Sequence, residues 1–292
     1  MPELPEVETI VRELRCADII GRKIIESIIM WPPLIRGRPF FFKKQLAGKE
    51  IIALARRGKF IVFTLSGGYF LLVHLRMSGQ FNLADANQAR EVHQHIILRL
   101  SDGRELRYRD TRKFGRWQIT RDPSEILGAL GPEPLAESFR PAVFFSCLKA
   151  HRRQLKPLLL DQRVIAGLGN IYADEALWEA RLHPRRLSDS LDGRESLRLF
   201  KAIRHVLRRG IRNKGTSLGT GMGNYYRPGK KTGQNQDKLR VTRHSGALCP
   251  RCGTAVMRLL VGQRATYICA KCQKLAPERS DPRRSESQKT KN

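Results

Sequence analysis

The chain opens with MPELPEVET at residues 1–9, and this stretch predicts the first element of the fold. Apolar side chains recur at helical spacing from there through Leu14, which predicts a leading amphipathic helix. Once Met1 is removed, Pro2 presents a free secondary amine directly before Glu3. An α-amino group titrates near pH 8, about two units below a lysine, so part of it is an unprotonated nucleophile at neutral pH. The stretch therefore contains a candidate nucleophile beside a candidate acid.

The same stretch has a purely structural interpretation. Proline is favoured at the first position of a helix, and acidic side chains are favoured near the positive end of the helix dipole. On this segment alone, the structural interpretation is the simpler of the two. The choice between them depends on the rest of the chain.

The composition indicates a polyanionic partner. Among 292 residues, 55 are Lys or Arg and 27 are Asp or Glu, which gives a formal net charge of +28. A charge of this size favours nucleic acid first and an anionic membrane second, with affinity driven by counterion release. No apolar run reaches the roughly 18 residues that a membrane span requires, and the acidic N-terminus is unlike a signal peptide. These features predict a cytosolic protein that binds nucleic acid.

The hydrophobicity pattern divides the chain into regions of different structure. Residues 19–120 contain short apolar runs separated by turn pairs such as Asp102-Gly103, a pattern typical of an antiparallel sandwich or barrel. From residue 123 the period becomes helical, and helices are predicted over 124–130, 141–150, 169–180 and 194–212. Residues 130–134, with one Gly and two Pro, form a candidate hinge. The expected domains are 2–122, 132–240 and 241–275, followed by a disordered tail at 276–292.

Four cysteines near the C-terminus have the spacing of a metal site: Cys249, Cys252, Cys269 and Cys272. Each Cys-x-x-Cys pair offers two thiolates, and the two pairs complete a tetrahedral site for one structural Zn²⁺. A redox role would need a thioredoxin-like βαβ context, which the sequence lacks. The apolar alternation between the pairs predicts a β-hairpin, whose Arg264 either enters nucleic acid or is one more solvated charge. The other two cysteines, Cys16 and Cys147, have apolar helical contexts that predict buried core thiols.

A glycine-rich turn precedes one of the predicted helices. The segment IAGLGNIY at 165–172 places backbone N–H groups at a helix N-terminus, where glycines leave room for a phosphate. Asn170 adds a neutral donor, and Lys156 lies upstream. Such turns also occur where tight packing alone requires them. The segment is a candidate phosphodiester clamp because the chain around it is so basic.

Together these segments resemble the formamidopyrimidine-DNA glycosylase family, bacterial base-excision repair enzymes related to endonuclease VIII. The resemblance runs from residue 2 to about residue 275 and rests on PELPEVET at 2–9, HLRMSG at 74–79, DTRKFG at 110–115, GLGNIYA at 167–173 and the four-cysteine finger. Leu4 resembles the residue that the formamidopyrimidine branch has at this position, whereas endonuclease VIII sequences usually carry Gly there.

The fold that the resemblance implies is an α+β multidomain chain. It has an N-terminal antiparallel β-sandwich with a leading helix, a helix–two-turn–helix domain and a C-terminal zinc-finger β-hairpin. DNA would cross the cleft between the two halves.

The implied activity is that of a bifunctional DNA glycosylase and AP lyase. Such an enzyme excises oxidised purines (8-oxoguanine and formamidopyrimidines) through an N-terminal proline Schiff base and cleaves the strand by β,δ-elimination. By this resemblance Pro2 is the nucleophile and Glu3 is the acid that assists base release. Lys59 corresponds to the lysine of β-elimination, and Arg264 to the finger arginine of δ-elimination.

The resemblance also implies how DNA is held. Three side chains correspond to the group that fills the gap left by an extruded base: Met77, Arg112 and Phe114. Five correspond to phosphate contacts: His93, Arg112, Arg152, Lys156 and Asn170. Two acidic residues, Glu6 and Glu175, correspond to groups that position the sugar and the N-terminus.

Two features depart from the family pattern. Arg76 stands where Gly is common, next to the gap-filling Met77. The segment 219–246 is unusual in sequence and lies where relatives place the damaged-base loop. Both departures bear on the lesion preference.

Two other functions remain open from the sequence. An endonuclease VIII-type glycosylase would share the chemistry and prefer oxidised pyrimidines. A non-catalytic zinc protein that binds DNA would explain the charge and the finger, although binding alone needs neither the Pro2-Glu3 terminus nor Lys59. The expectation is a monomer that binds double-stranded damaged DNA in the bacterial cytosol, associated with the nucleoid and not with a membrane.

Overall fold

The predicted leading helix is present as α1 (Leu4–Cys16). It is the first element of the computed structural model, which describes residues 1–219 and 225–275. Its apolar stripe, which includes Val7 and Leu14, is fully buried. The stripe packs α1 into the core of the sheets that follow.

Eight strands follow: β1 (Ile24–Ile29), β2 (Ile51–Arg57), β3 (Phe60–Leu65), β4 (Tyr69–His74), β5 (Gly79–Asp85), β6 (Gln94–Leu100), β7 (Arg104–Asp110) and β8 (Arg116–Thr120). They form two antiparallel four-stranded sheets, in the orders β1-β6-β7-β5 and β2-β3-β4-β8. Aromatic rings fill the space between the sheets. The Phe81 ring centroid lies 5.5 Å from those of both Tyr108 and Trp117. The predicted antiparallel β-sandwich is confirmed.

A helix interrupts the region predicted as mainly β-structure. This helix, α2 (Pro39–Leu46), begins at a proline, which suits the first turn. Phe42 and Leu46 lie one turn apart and are buried in the sandwich core, whereas Phe40 is 70% exposed. The run of three phenylalanines is also typical of a buried strand. The segment forms a helix because one helical face packs against the sheets.

The described residues of the second half contain five α-helices: α3 (Ser124–Leu127), α4 (Pro141–Lys149), α5 (Leu155–Leu160), α6 (Asn170–Glu179) and α7 (Gly193–Arg212). The four predicted helices are present with slightly shifted ends, and α5 is an addition, because a six-residue element is too short to show a helical period. α7 begins at a capping box in which the Asp192 side chain accepts from Glu195 N at 2.7 Å. The predicted helical domain is confirmed.

The finger contains a hairpin of β9 (Met257–Val261) and β10 (Arg264–Ile268). Its two-residue turn, Gly262-Gln263, has positive φ at both positions, 53° and 60°. This conformation is typical of the tight type I′ hairpin turn. The turn places Arg264 beside the tip of the hairpin, and the predicted zinc-finger β-hairpin is confirmed.

Each half inserts one apolar side chain into the hydrophobic core of the other half. Leu4, from the first turn of α1, packs within the core of the helical half. Tyr225, from the segment after α7, packs within the sandwich core and is 6% exposed. Its ring approaches Gly215 so closely that a Cβ there would lie 2.7 Å from the Tyr225 Cε1. This reciprocal burial ties the halves together.

The candidate hinge at 130–134 is held against the β2–β3 turn. Arg57 donates through Nη2 to two backbone carbonyls of the linker, at 2.7 and 2.8 Å. Gly58 N donates to Glu133 Oε1 at 2.5 Å. These contacts fix the linker, and they also anchor Lys59, the next residue of the turn, near the junction of the halves.

The prediction of buried core thiols is wrong for Cys16. Cys16 is exposed at the C-terminal end of α1, because it lies two positions after the buried Leu14 and so on the opposite face of the helix. Cys147 is half-buried in α4 and packs against the helical core.

Two sequence predictions involve residues outside the described ranges. They concern the tail at 276–292 and, within the unusual segment, residues 220–224. Across residues 1–219 and 225–275, no helix combines the length and the apolar character needed to cross a membrane.

Glu133→Ala tests the linker contacts. It removes the acceptor of Gly58 N and the partner of the Arg56 and Arg57 guanidinium groups, so we expect a loss of about 2–3 kcal/mol in the free energy of unfolding. Urea or thermal unfolding measures the loss. Glu137→Ala, which removes an exposed carboxylate nearby, is the control and should change stability by less than about 0.5 kcal/mol. Equal midpoints for the two variants would contradict the stabilising role.

Candidate active site

The N-terminal turn of α1 docks on the N-terminus of α6. The Glu3 carboxylate accepts hydrogen bonds from Ile171 N at 3.0 Å and from Tyr172 N at 3.3 Å. One residue further on, Leu4 N donates to Gly167 O at 3.0 Å. The first N–H groups of a helix lack intrahelical acceptors and favour an anion. Glu3 therefore acts as the anion at this helix end.

This docking corrects the role predicted for the glycine-rich turn. The sequence predicts a DNA phosphate there, whereas the structure places the Glu3 carboxylate there, because α1 and α6 meet at their N-termini. A Cβ at Gly169 would lie 2.3 Å from Glu3 Cδ. A Cβ at Gly167, whose φ is +84°, would lie 2.8 Å from Leu4 Cβ. The two glycines are required by the close approach of the chain terminus.

Glu6 is a second buried carboxylate in the same turn. It accepts from Glu3 N at 2.9 Å, from the Tyr172 hydroxyl at 2.7 Å and from Thr216 N at 2.7 Å. Burial, together with the neighbouring Glu3 carboxylate, raises the pKa of Glu6 to about 7. Glu6 thereby joins the N-terminal turn to α6 and to the segment after α7.

The pocket around the chain terminus favours neutral amines. Pro2 is buried, and its nitrogen is part of a peptide bond because Met1 precedes it. Burial lowers the pKa of the Met1 α-amino group, against the opposing effect of Glu3. Lys59 is 6% exposed, and burial likewise lowers the pKa of its ammonium group. An amine that is less often protonated is more often available as a nucleophile or as a proton acceptor.

A cleft of about 900 Å³ opens in front of these groups. Its walls come from the sandwich, from the N-terminus of α6 and from the finger hairpin. The predicted functional residues that line it are Glu3, Lys59, Met77, Phe114, Asn170 and Arg264. The structure therefore brings most of the predicted catalytic and gap-filling residues to one place, with Met1 among them.

The loop that carries Arg112 and Phe114 is organised by Asp110. The buried Asp110 carboxylate accepts from Gly115 N at 2.8 Å and from Arg112 N at 3.3 Å. Met77 and Phe114 are 39% and 47% exposed, so they are not core residues. The Arg112 Cζ lies 4.9 Å from the centroid of the Phe114 ring. This loop presents Arg112 and Phe114 to solvent, and the connection between β4 and β5 presents Met77.

Arg76 adopts a backbone conformation that suits the Gly expected at this position from the resemblance. Its φ is 53°, in the left-handed region, which costs a residue with a Cβ about 1–2 kcal/mol. Arg76 N donates to His74 Nδ1 at 3.0 Å. Burial lowers the pKa of His74 to about 3, so this imidazole stays neutral and accepts the bond. A local hydrogen bond thus accommodates the departure.

The predicted phosphate contacts lie in different surroundings. His93 lies just before β6 in a left-handed conformation, with φ at 70°. Arg152 is exposed in the loop between α4 and α5. The Asn170 side chain donates to Ala265 O at 3.0 Å and so ties α6 to the finger. Asn170 also lines the cleft, where DNA would lie.

Lys156 is buried, which argues against the phosphate contact predicted for it. Its side chain is fully enclosed, with Nζ 2.7 Å from Asp174 Oδ1. The same ammonium donates to Ala265 O at 2.9 Å and to Thr266 Oγ1 at 2.8 Å. A phosphate could replace these partners only if α5, α6 and β10 moved apart.

Glu175 holds the segment that leads into the finger. Its buried carboxylate accepts from three consecutive backbone N–H groups, those of Arg240, Val241 and Thr242, at 2.9–3.1 Å. It also accepts from Arg209 Nη2 at 3.1 Å. These contacts position the finger relative to α6 and α7.

The four cysteines of the finger converge on one point. Their Sγ atoms lie within 4.8 Å of one another, including 4.0 Å between Cys249 and Cys272 and 3.5 Å between Cys252 and Cys272. Four sulfurs at 2.3 Å from a tetrahedral Zn²⁺ would be about 3.8 Å apart. The cluster fits one zinc ion. With Cys269 as the fourth ligand no open position remains, so the metal would stabilise the finger and take no part in the chemistry.

Three buried polar residues that organise the site were not identified from the sequence: Asp110, Tyr172 and Thr216. The first two lie inside the segments DTRKFG and GLGNIYA, which is the signal that could have found them. Thr216 has no such signal, because its partner Glu6 is 210 residues away along the chain.

Family models match most of the chain. Residues 1–117 match the formamidopyrimidine-DNA glycosylase N-terminal domain. Residues 130–222 match the H2TH domain of the same family, and residues 246–275 match the zinc finger found in FPG and IleRS. The predicted zinc finger is confirmed, with a cysteine cluster that can hold the ion.

Curated relatives align along their whole length. The formamidopyrimidine-DNA glycosylase of Protochlamydia amoebophila is 46% identical over 275 residues, which are 94% of this chain and 100% of the relative. That of Herpetosiphon aurantiacus is 42% identical over 278 residues, with the same shares covered.

Solved structures have the same fold. A mutant FPG of Lactococcus lactis, in complex with a Fapy-dG-containing DNA, has a TM-score of 0.87 and 36% identity, covering 94% of this chain and 100% of that one. The MutM (FPG) protein of Thermus thermophilus has a TM-score of 0.85 and 40% identity over the same shares. The chain therefore belongs to the formamidopyrimidine-DNA glycosylase family and is a DNA-repair glycosylase.

Proposed function

We propose that Pro2, after removal of Met1, is the nucleophile with which this enzyme excises oxidised purines from double-stranded DNA and cleaves the strand. The observation that carries the proposal is the docking of the N-terminal turn, which sets Met1 and Glu3 in one cleft with Lys59. Lactococcus lactis FPG has been solved with a Fapy-dG-containing DNA and with an abasic-site DNA. Those two ligands correspond to the substrate and to the intermediate of the proposed reaction.

Base removal begins with extrusion of the damaged nucleotide, because a stacked base hides its glycosidic carbon. The Pro2 nitrogen then forms a bond to the sugar C1′ as the bond from C1′ to the base breaks. Glu3 takes the proton that the Pro2 nitrogen loses and passes it to the ring oxygen O4′, so that the bond from C1′ to O4′ breaks, while the departing base takes its proton from water. The product is a cationic iminium between Pro2 and C1′.

Strand cleavage follows from the iminium. Its positive charge acidifies the C2′ proton, and Lys59, whose pKa burial lowers, is suited to move that proton. Loss of the 3′ phosphate completes β-elimination. Arg264 assists the second elimination, in which the 5′ phosphate leaves. One secondary amine thus accounts for both activities.

The proposed binding mode uses a wedge made of Met77, Arg112 and Phe114. Met77 and Phe114 are exposed and line the cleft, and Arg112 is exposed beside Phe114, which suits the three to fill the space that the extruded base leaves. The net charge of +28 supports binding to the DNA backbone, with His93, Arg112, Arg152 and Asn170 as phosphate contacts.

The proposed assembly is a monomer on double-stranded damaged DNA in the bacterial cytosol, associated with the nucleoid. Structures of relatives with damaged DNA support the choice of partner. The proposed domain limits are 2–122, which encloses the sandwich, 132–240, which encloses α4 to α7, and 241–275, which encloses the finger hairpin, while α3 lies between the first two.

Oxidised pyrimidines are a second candidate substrate class. The specific observation is that wild-type Lactococcus lactis FPG has also been solved with an oxidised-pyrimidine-containing DNA. Excision rates on 8-oxoguanine and thymine glycol duplexes rank the two classes.

Borohydride trapping tests the nucleophile. Reduction of the iminium should give a stable enzyme–DNA adduct on an 8-oxoguanine or abasic duplex, and mass spectrometry should place it on Pro2. Protein that retains Met1 should give no adduct on Pro2, because an amide nitrogen is not a nucleophile, and Pro2→Gly should trap less, because a primary amine replaces the secondary amine. A fully active protein that retains Met1 would contradict the assignment.

Gly169→Ala tests the docking of the terminus. The added Cβ would displace the Glu3 carboxylate, so we expect single-turnover base excision to fall by at least about tenfold, which is about 1.4 kcal/mol in the barrier. Gly193→Ala is a matched control, since Gly193 also begins a helix and a Cβ there meets nothing within 4 Å. Rates are compared at equal folded fraction. Similar rates for the two variants would show that the position of Glu3 does not matter for excision.

Met77→Ala tests the wedge. Loss of its stacking should slow excision from a paired duplex by roughly ten- to a hundredfold, and slow excision of a poorly paired lesion much less. Phe114→Ala should behave alike, and Arg112→Ala should also relax discrimination of the opposite base. Met257→Ala, at a methionine 47% exposed on β9, is the control. Equal losses in both DNA contexts would exclude the wedge.

A further inference from the structure

The outer edge of β10 in the finger hairpin is not paired with any strand of the described residues. Within the described residues β10 pairs with β9 alone, and its other edge faces α5 and α6. Side chains of those helices satisfy the backbone groups there. Ala265 O accepts from Lys156 Nζ at 2.9 Å and from Asn170 Nδ2 at 3.0 Å, and Tyr267 N donates to Asp174 Oδ2 at 3.2 Å. An unpaired strand edge thus docks on the helical half through side chains.

The central contact is a buried ion pair. Lys156 Nζ lies 2.7 Å from Asp174 Oδ1, and both side chains are 0% exposed. Burial raises the pKa of Asp174 to about 7 and lowers that of Lys156, which reflects the cost of removing two charges from water. Well-packed apolar residues often stabilise a fold as much as such a pair. Stability alone therefore does not explain why an ion pair occupies this buried position. The explanation that we favour is that the pair fixes the position of the backbone it contacts.

The geometry fixes the backbone next to Arg264. Lys156 binds Ala265 O and Thr266 Oγ1, the two residues directly after Arg264. On the other side, the hairpin turn lies so close to α5 that a Cβ on Gly262 would be 2.9 Å from Pro157 Cγ. Arg264 is thus held between two contacts with α5 while its side chain lines the cleft.

We propose that Lys156 and Asp174 are positioning residues for Arg264, which set its guanidinium in the cleft by anchoring β10 to α5 and α6. This role replaces the direct phosphate contact predicted for Lys156. It rests on the proposed function, in which Arg264 assists the second elimination. Both side chains are fully buried, so neither is exposed to a DNA strand.

The test removes the anchor while keeping the volume of the pair. In the double variant Lys156→Met/Asp174→Leu, apolar side chains replace both charges, so no unpaired charge stays buried. The readouts are zinc content, thermal midpoint and the ratio of β,δ- to β-elimination products on an abasic duplex. We expect one zinc per chain and a ratio about ten- to a hundredfold lower at equal folded fraction, because small displacements of a catalytic group have effects of that size.

The control replaces another ion pair in the same way. Lys230 Nζ lies 2.8 Å from Glu91 Oε1, and both side chains are solvent-exposed. Lys230→Met/Glu91→Leu should keep the wild-type product ratio. A fall in this control equal to that in the double variant would overturn the inference, since any lost charge pair would then suffice.

One further variant, Arg264→Ala, separates failure of this inference from failure of the proposed function. If Arg264→Ala lowers the ratio and the Lys156→Met/Asp174→Leu protein keeps the wild-type ratio, the inference is overturned and the proposed function stands. If Arg264→Ala itself keeps the wild-type ratio, the proposed role of Arg264 fails, and the inference fails with it.

A milder variant covers failure of the double variant to fold. Thr266→Val deletes one acceptor of Lys156 and the hydroxyl that donates to Arg264 O at 2.9 Å, and it leaves both charges in place. It should lower the ratio by about two- to tenfold, the effect of losing this link from Lys156 to the Arg264 backbone. A wild-type ratio in Thr266→Val would then overturn the inference.

Discussion

The rest of the structure depends on the hydrogen bonds that two carboxylates, those of Glu3 and Glu6, accept at the start of α1. Glu3 accepts backbone N–H groups at the N-terminus of α6, and Glu6 accepts from Thr216 N after α7. The N–H groups at a helix start need an acceptor, and a buried carboxylate supplies one with favourable charge. Because both carboxylates are buried between the halves, the position of the chain terminus is coupled to the docking of the halves. The site exists only while that interface is closed.

Acidic residues have a special use in this basic protein. The chain has 27 acidic and 55 basic residues. Several of the acidic residues connect one structural part of the chain to another. Glu133 holds the linker between the halves, Glu175 holds the segment before the finger, and Asp174 takes part in docking the hairpin. Each accepts backbone N–H groups from another part of the chain. With these acids turned inward, the surface keeps the basic residues that a DNA backbone requires.

Much of the fold could be predicted because its signals are local. Alternating or continuous apolar runs mark strands such as β3 and β4, and a helical period marks α7. Two helices that show no hydrophobic period of their own were not predicted. These are α2, whose three phenylalanines suit a strand equally well, and the six-residue α5. Cys16 was misplaced for a related reason, because an apolar neighbourhood does not say which face of a helix a residue occupies. In each case packing against another element decided the outcome.

From sequence alone follow the sandwich, the long helices and the zinc ligands, because each depends on residues close together along the chain. Only the tertiary structure decided which anion the N-terminus of α6 binds and which groups surround Lys156. Glu3 reaches Ile171 across 168 residues, and Lys156 reaches Thr266 across 110. A phosphate and a carboxylate satisfy the same N–H groups, and an ammonium pairs with either. Residue type cannot distinguish these partners, because only the packed distances determine which one is present.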